Sequence, residues 1–271
     1  MNEEYMEILE RYYNWESEMG ENYREMYFSN NIFERYEHRF RLKTALKMIS
    51  LSEEDKVLDL GCAEGYITYH LARTSKNVIG ADISKMKLEK SHEIARLFPK
   101  SNKPEFVYVD ANKRLPFEDG TFDTIVCLET IEHTLFPDKV LSELSRILDD
   151  VGSLILSVPT WVQYGRPLDA KISTRPKLLM NSEQFASPFD GHIWDFSLES
   201  CDYLLNNSGF KVVERMGAIS FNTPILHTMR NYKYTKRLSL LVQWIGDVLQ
   251  QRCVDNTSYS RYLIYKLQKR I

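Results

Sequence analysis

Short apolar runs alternate with segments of helical spacing from Lys56 to the end of the chain. Near-continuous runs of Val, Ile and Leu with helical crossovers between them are typical of parallel strands buried on both faces. The pattern therefore predicts a doubly wound α/β domain. The predicted strands are VLDL (57–60), NVIGAD (77–82), EFVYVD (105–110), FDTIVCL (122–128), GSLILSVP (152–159), FKVVERMG (210–217) and SRYLIYKL (260–267). The predicted helices are Arg39–Ile49, Gly65–Arg73, Ser84–Phe98, Pro137–Leu148 and Leu198–Asn207.

Three segments fall outside this alternation. Residues 1–50 form a predicted N-terminal helical cap, because ten aromatic residues interleave with Glu and Arg in the first 41 positions. Residues 160–196 and 222–257 are predicted insertions, the first of them rich in Pro, Ser and aromatic residues. Residues 51–271 are then one predicted domain that carries both insertions.

The composition is that of an ordinary soluble globular protein, with 271 residues, 43% apolar and 27% charged. A chain of this size can bury a core without a metal or a disulfide. Its four cysteines are widely spaced without a C-x-x-C, which argues against a zinc knuckle or a thioredoxin-type redox site. The N-terminus MNEEYMEILERYY lacks the apolar region of a signal peptide, and the apolar runs are far shorter than a membrane span of roughly 20 residues. We therefore expect a cytoplasmic protein.

The charge is unevenly spread along the chain. A net charge of −3 is not that of a general nucleic-acid binder, yet residues 227–271 hold nine Lys or Arg and two Asp. Within them, residues 230–251 combine the basic run RNYKYTKR with apolar residues at helical spacing. Such a helix either makes peripheral contact with a membrane or packs on its own domain or a second subunit. The packing interpretation is favoured because core-facing helices share this pattern, and the chain is expected to be a monomer or a homodimer.

The glycine-containing motif VLDLGCAEGY (57–66) predicts a cofactor site at the end of the first strand. Gly61 and Gly65 let the backbone turn sharply and approach a ligand, and the following helix presents its N-terminus. Asp82 ends the second strand, where a carboxylate can accept hydrogen bonds from ribose hydroxyls. A dinucleotide fingerprint would need glycines at 61, 63 and 66, where this chain has Gly61, Ala63 and Tyr66. The spacing therefore favours S-adenosylmethionine as the cofactor. A nicotinamide dinucleotide, which would make the chain an oxidoreductase, is the less favoured alternative.

This motif and three later segments resemble those of class I S-adenosylmethionine-dependent methyltransferases, over roughly residues 36–217. The later segments are VIGADIS, VYVDANKRLPFEDGTFD and CLETIEHT. Within that class the chain resembles the type 11 and type 23 methyltransferases and the ubiquinone-biosynthesis O-methyltransferases. The resemblance implies a Rossmann-like fold with a seven-stranded, mostly parallel sheet whose last strand is antiparallel. Helices would cover both faces, with an N-terminal helical cap and lid insertions.

The resemblance also implies a set of residues that bind S-adenosylmethionine. Asp82 would bind the ribose, Ile83 would pack on the adenine, and Asp110 would bond the adenine amine beside the N–H of Ala111. Glu129 would hold the methionine ammonium. The full implied set is Asp59, Gly61, Cys62, Ala63, Glu64, Gly65, Asp82, Ile83, Asp110, Ala111, Leu128 and Glu129. An arginine of the preceding helix, Arg39 or Arg41, would clamp the carboxylate, with a solvated helix face as the alternative.

Candidates for the chemistry cluster in CLETIEHT (127–134). Glu129, Glu132 and His133 stand at i, i+3 and i+4, so a helical turn would place them on one face. The E-x-x-E-H cluster resembles that of metal-assisted O-methyltransferases, including the small-RNA 3′-end 2′-O-methyltransferases, with His192 as a further histidine. We predict Glu132, His133 and His192 as catalytic residues, with His133 as the base or the group that orients the acceptor. A divalent metal ion is an alternative, and no metal site is predicted.

The predicted function is transfer of a methyl group to an O or N of a small or carrier-linked metabolite. The acceptor pocket is expected between the N-terminal cap and the 160–196 insertion, with aromatic walls. The candidate wall residues are Trp161, Tyr164, Phe185, Phe189 and Trp194. One alternative is a metal-assisted RNA 2′-O-methyltransferase, which the basic tail favours and the acidic body opposes. Another is a non-catalytic, cofactor-binding partner subunit.

Overall fold

A computed structural model describes residues 32–160, 162–163, 166–167, 194, 196–218 and 262–270. The helices are α1 (Ile32–Met48), α2 (Tyr66–Leu71), α3 (Lys85–Glu89), α4 (Ser91–Ala95), α5 (Pro137–Ile147) and α6 (Leu198–Asn207), with a 3-10 turn at Ile131–His133. The strands of the main sheet are β1 (Lys56–Leu60), β2 (Asn77–Asp82), β3 (Glu105–Tyr108), β4 (Phe122–Leu128), β5 (Leu148–Pro159), β6 (Phe210–Ala218) and β7 (Tyr262–Lys269). Two further short strands, Val162–Gln163 and Arg166–Pro167, pair with each other.

The seven strands form one sheet in the order β3-β2-β1-β4-β5-β7-β6. The pairs among β1 to β5 are parallel, whereas β7 is antiparallel to both of its neighbours. The predicted seven-stranded, mostly parallel sheet with an antiparallel last strand is therefore confirmed. Strands β2 and β3 lie on one side of β1, and β4 and β5 lie on the other. The strand order therefore changes direction between β1 and β4, and ligands bind beyond the carboxyl ends of the strands at such a switch point.

The sheet is buried on both faces, which explains the near-continuous apolar runs. Alternate residues of β4 enter different clusters, with Ile125 and Cys127 on one face and Val126 and Leu128 on the other. Helices α5 and α6 cover the first face. Helix α1 covers the second face through Ala45 and Met48, among others. Among the described residues, no helix is long and apolar enough to cross a membrane.

Local signals set the ends of the helices on the first face. Pro137 occupies the first turn of α5, where its missing N–H costs nothing. Ser197 and Ser200 form a reciprocal capping box at the start of α6. Gly209 follows that helix with a φ of 78°, the left-handed conformation in which glycine commonly ends a helix.

Several predicted boundaries were wrong. The helix predicted over 84–98 is two short helices, because Lys90 ends α3 and also precedes the first residue of α4. Strand β5 begins at Leu148 and not at 152, since the residue that ends α5 is already extended and pairs with Phe122. The residues that follow, the half-buried Asp149 and the exposed Asp150 and Val151, look like a turn in the sequence but belong to the strand. Helix α1 also begins seven residues before the predicted start, and β7 lies two residues later than predicted.

Parts of three predicted segments lie outside the described residues. They are residues 1–31 of the cap, most of the first insertion, and the amphipathic stretch 230–251.

Candidate active site

A cavity lies at the carboxyl ends of β1, β2 and β4, and it encloses about 600 Å³ with its open mouth included. On the side of β2 and β3, the lining residues are Asp82, Ile83, Ser84, Lys87, Val109 and Ala111. On the side of β1 and β4, they are Leu60, Gly61, Glu129, Thr130, His133 and Thr134.

The loop after β1 has three left-handed residues in alternation. Gly61, Ala63 and Gly65 have φ angles of 78°, 49° and 82°. This alternation explains the spacing of the glycines, since the left-handed conformation is strained for residues that carry a Cβ. Ala63 adopts it nonetheless, at a cost of about 1–2 kcal/mol.

Two side chains pack where the loop glycines have no Cβ. A Cβ on Gly61 would overlap the side chain of Thr130, whose hydroxyl contacts the carbonyl oxygens of Leu60 and Leu128. A Cβ on Gly65 would lie 2.5 Å from the ring of Phe106 in β3. The two glycines therefore let the loop after β1 pack directly against Thr130 and Phe106.

Asp82 is held rigidly by the backbone around it. One carboxylate oxygen accepts a hydrogen bond from the N–H of Ala63 and the other from the N–H of Ser84, both at 2.8 Å. The residue is 9% exposed and lines the cavity. A carboxylate fixed in this way presents its remaining lone pairs to a ligand.

Asp59 lies beneath the loop and is not among the lining residues. Its Oδ2 accepts a hydrogen bond of 2.6 Å from the Thr68 hydroxyl. Burial raises the pKa of the Asp59 carboxyl to about 7; the bond from Thr68 opposes this rise and the nearby charge of Asp82 adds to it. Because the Asp59 side chain does not line the cavity, it can interact with a ligand there only indirectly, through another group.

Glu129 projects into the cavity from the end of β4 with a φ of 52°. Its Oε2 lies 3.2 Å from Nη1 of Arg41 in α1, and its Oε1 accepts a hydrogen bond of 2.7 Å from the Ser157 hydroxyl. The Arg41 guanidinium also stacks 5.0 Å from the centre of the Tyr262 ring. Of the two candidate arginines, Arg41 is buried and reaches the site, whereas Arg39 is exposed. The positive φ of Glu129 is a strained conformation for a residue other than glycine, and such strain concentrates at functional sites.

The E-x-x-E-H cluster does not share one helical face. The turn after β4 is a 3-10 turn over Ile131–His133, so Glu129 precedes it. His133 lines the cavity, whereas Glu132 is fully buried with one carboxylate oxygen 3.9 Å from His133 Nε2. In the part of the chain that the structure describes, no group of three or more His, Cys, Asp and Glu is arranged to hold a metal ion. His192 lies outside that part.

The other predicted cofactor residues surround the cavity at different depths. Ile83 and Ala111 line it. Asp110 stands between two lining residues, and its carboxylate accepts from the N–H of Asn112 and pairs with Lys113 at 3.2 Å. Cys62, Glu64 and Leu128 are buried in the surrounding loop and strand and are not among the lining residues.

Sequence reasoning missed six of the lining residues, which are Leu60, Ser84, Lys87, Val109, Thr130 and Thr134. The position of Thr130 at the cavity can be predicted only when the pairing of β4 with β1 is known, because this pairing brings Thr130 against Gly61. A lysine in a helix is ordinarily taken as solvated, so no sequence signal marks Lys87.

Trp194 connects the end of the first insertion to the turn after β4. Its backbone N–H donates to the carbonyl of Glu132 at 3.0 Å, and its indole N–H donates to the carbonyl of Thr134 at 2.8 Å. Just beyond it, Phe196 forms a parallel bridge with Thr160 at the end of β5. The insertion therefore leaves and re-enters the fold beside the cavity. Of the aromatic residues proposed as pocket walls, Trp194 is the one that the structure describes.

Comparison with known proteins shows one matching family model and several partial relatives. A model described as a methyltransferase domain matches residues 51–209. The 27-O-demethylrifamycin SV methyltransferase of Amycolatopsis mediterranei is 30% identical over 141 residues, which is 51% of this chain and 51% of that protein. A ubiquinone biosynthesis O-methyltransferase of Pelagibacter ubique is 30% identical over 102 residues, covering 38% of this chain and 41% of that protein. The chain thus spans about half the length, or less, of the curated relatives it matches.

Solved structures share the fold at low sequence identity. An S-adenosylmethionine-dependent methyltransferase from Mesorhizobium loti aligns with a TM-score of 0.56 and 14% identity, covering 84% of this chain and 96% of that one. A chain from the Haloferax volcanii complex that contains the Trm112 methyltransferase activator aligns with a TM-score of 0.58 and 19% identity. That alignment covers 87% of this chain and 92% of the other.

Proposed function

This chain belongs to the methyltransferase-domain family, and from that membership we propose that it transfers a methyl group from S-adenosylmethionine to an O or N of a small or carrier-linked metabolite. The observation that carries the proposal is the cavity at the switch point of the sheet, with a backbone-fixed Asp82 on one side and the ion-paired Glu129 on the other. The two carboxylates match a cofactor with ribose hydroxyls at one end and an ammonium at the other.

The residues on the β2 and β3 side fit the adenosine part of the cofactor. Asp82 accepts hydrogen bonds from the ribose hydroxyls, and Ile83 packs against the adenine. Ala111 donates its backbone N–H to the base, and Asp110 accepts from the adenine amine. The glycine loop of residues 61–65, with Asp59, Cys62 and Glu64 beneath and beside it, holds the backbone close to the cofactor.

The residues on the β4 side fit the methionine part. Glu129 accepts from the ammonium, with Leu128 behind it, while Arg41 and Ser157 fix the direction of its carboxylate. Because Arg41 lies beside Glu129, it is the proposed partner of the cofactor carboxylate. The cofactor supplies a methyl group on a sulfonium, which is already electrophilic, so the chain itself has to align the acceptor and remove its proton.

His133 is the proposed base on the acceptor side of the cavity. An imidazole titrates near neutral pH and can accept the proton of a hydroxyl or amine as the methyl group is transferred. The Glu132 carboxylate, 3.9 Å from Nε2, stabilises the imidazolium that forms. Trp194 holds this turn from the first insertion, which supports the proposal that the insertion, with His192 in it, contributes to acceptor binding.

The named relatives favour metabolite acceptors, because one acts on a rifamycin and the other in ubiquinone biosynthesis. The Haloferax volcanii complex favours a second candidate, in which this chain works with a partner protein. Turnover by the isolated chain would eliminate a purely non-catalytic role.

The test is a calorimetric titration of the purified chain with S-adenosylhomocysteine, with NAD as the competing cofactor class. We expect binding of S-adenosylhomocysteine and none of NAD. Asp82→Asn should weaken binding by tenfold or more, since hydrogen bonds to a charged group contribute about 1.5–3 kcal/mol. The matched control is Asp138→Asn, which makes the same change at an exposed residue of α5. Equal affinities for wild type and Asp82→Asn, or a preference for NAD, would refute the proposal.

The titration is repeated with a chelator and with Mg²⁺. An affinity that depends on Mg²⁺ would favour the metal-assisted alternative.

A further inference from the structure

Lys87 is a buried cation inside the proposed cofactor cavity. It is 7% exposed and lines the cavity with Asp82, Ile83 and Ser84. Lysine is almost never this buried unless its ammonium interacts with a polar group or carries a function. Its helix neighbour Lys85 behaves in the ordinary way, exposed and with Nζ 5.0 Å from the centre of the Tyr108 ring.

The start of α3 explains why Lys87 faces inward. Ser84 is the N-cap, and its hydroxyl accepts a hydrogen bond of 3.3 Å from the N–H of Lys87. The same Ser84 donates its own N–H to Asp82. The cap therefore ties the first turn of α3 to the end of β2, and Lys87 lies on the side of the helix that faces the cavity.

Asp82 and Lys87 offer complementary hydrogen-bonding groups. A carboxylate only accepts hydrogen bonds, whereas an ammonium has three donors and no acceptor. A ribose hydroxyl can both donate and accept, and the ring nitrogens of adenine accept. Asp82 can therefore satisfy the hydroxyl hydrogens of an adenosine, and Lys87 can satisfy its oxygen or nitrogen lone pairs.

The position of Lys87 along the cavity also fits adenosine better than methionine. The sulfonium and ammonium of the cofactor are cations, and Arg41 already adds a buried cation on that side, so a further one beside them would repel them. Lys87 instead lies on the side of β2 and β3, with Glu129 across the cavity on β4. The adenosine part is uncharged, so a cation can bind it without this penalty.

We propose that Lys87 is a further cofactor-binding residue, which donates hydrogen bonds to the adenosine moiety and complements Asp82. The proposal rests on the proposed function of the same cavity. It adds a residue that determines the affinity for one half of the cofactor.

The test compares two ligands, S-adenosylhomocysteine and 5′-methylthioadenosine, which share the adenosine part but differ in the amino-acid part. Calorimetry gives the affinity of each for wild type, Lys87→Met and Lys87→Arg. Lys87→Met should weaken both ligands by a similar factor, about tenfold to a hundredfold. Lys87→Arg keeps the charge and the donors and should retain most of the affinity.

Two controls show that the comparison separates the ends of the cavity. Lys85→Met makes the same substitution two residues away at an exposed position, and it should leave both affinities within about twofold. Glu129→Gln should weaken S-adenosylhomocysteine and leave 5′-methylthioadenosine unchanged, because Glu129 faces the amino-acid part.

The outcomes separate this proposal from the proposed function. If wild type binds neither ligand, the proposed function fails and this inference fails with it. If wild type binds both and Lys87→Met binds them equally well, the proposed function stands and the role of Lys87 is wrong. A loss confined to S-adenosylhomocysteine would also overturn it, since Lys87 would then act on the amino-acid part. If Lys87→Met does not fold, Lys87→Leu, which also lacks a donor, provides the same comparison, and its melting temperature is measured alongside.

Discussion

The two sides of the cavity are held in place in different ways. On the β2 side, both oxygens of Asp82 accept from backbone N–H groups of Ala63 and Ser84, which lie within 20 residues of it. On the β4 side, Glu129 is held by the side chains of Arg41 in α1 and Ser157 in β5, with its own backbone strained. The first arrangement needs the paired strands β1 and β2 and the turn after β2, whereas the second exists only when α1, β4 and β5 pack together. We therefore expect the β4 side to be the one that is sensitive to the N-terminal helix.

The largest effect should come from breaking the long-range side with Arg41→Met. This change leaves the Glu129 carboxylate buried without its ion pair, and removing one partner of a buried pair costs about 3–5 kcal/mol. The free energy of unfolding, measured by urea denaturation, reports the loss. The control is Arg39→Met in the same helix, where an exposed side chain is replaced and the change should be well under 1 kcal/mol. Similar effects of the two substitutions would contradict a stabilising pair between Arg41 and Glu129.

A smaller and pH-dependent effect should come from the local side through Asp59. Its pKa is about 7 in the folded chain against an ordinary value of 3.8. Between these two values, the unfolded chain loses the proton that the folded chain keeps, so the free energy of unfolding falls as pH rises and levels off above about pH 7. Asp59→Asn removes this dependence and retains an acceptor for Thr68. Relative to wild type, the variant should gain on the order of 3 kcal/mol between pH 4.5 and pH 8. Urea denaturation at the two pH values checks it, and a constant difference would refute the raised pKa.

The smallest effect should come from relieving strain on the local side with Ala63→Gly. The left-handed conformation costs an alanine about 1–2 kcal/mol, and glycine avoids this cost but loses about 0.5–1 kcal/mol through its freer unfolded chain. The net result should be a gain of up to about 1.5 kcal/mol, with the N–H donated to Asp82 intact. Ala95→Gly, at the end of the right-handed helix α4, should instead destabilise the protein. Thermal unfolding of both variants tests the difference in sign; a loss at Ala63 would show that its backbone is not strained.

The sequence predicts best what depends on local pattern. The bounds of β2, β4 and α6 agree with the prediction, because each element has a clear apolar pattern with turn or capping residues at its ends. Asp82 and Gly61 were also found by their spacing, since the parallel pairing of β1 and β2 places the carboxyl ends of the two strands side by side. The break at Lys90 and the early start of β5 were missed because both depend on packing and register rather than on composition.

The parts of the site that the sequence did not predict are tertiary. The choice between Arg41 and Arg39 depends on which face of α1 packs against the sheet, and the spacing left both open. Lys87 was missed for a similar reason, since its burial follows from how the Ser84 cap orients α3. Glu132 was expected to share a face with Glu129, but a 3-10 turn replaced the helical turn that the i, i+3 spacing requires.

The bridge between Thr160 and Phe196 has a consequence for how the protein can evolve. A segment whose two ends lie side by side can be replaced by one of another length with little effect on the sheet, since the entropy of closing a loop grows only slowly with its length. Related chains could therefore exchange the residues between Thr160 and Trp194 as a cassette, while the strands and the bonds of Trp194 to the turn after β4 remain the same. Under the proposed role of the insertion in acceptor binding, a foreign segment grafted between Thr160 and Trp194 would change which acceptor the protein takes.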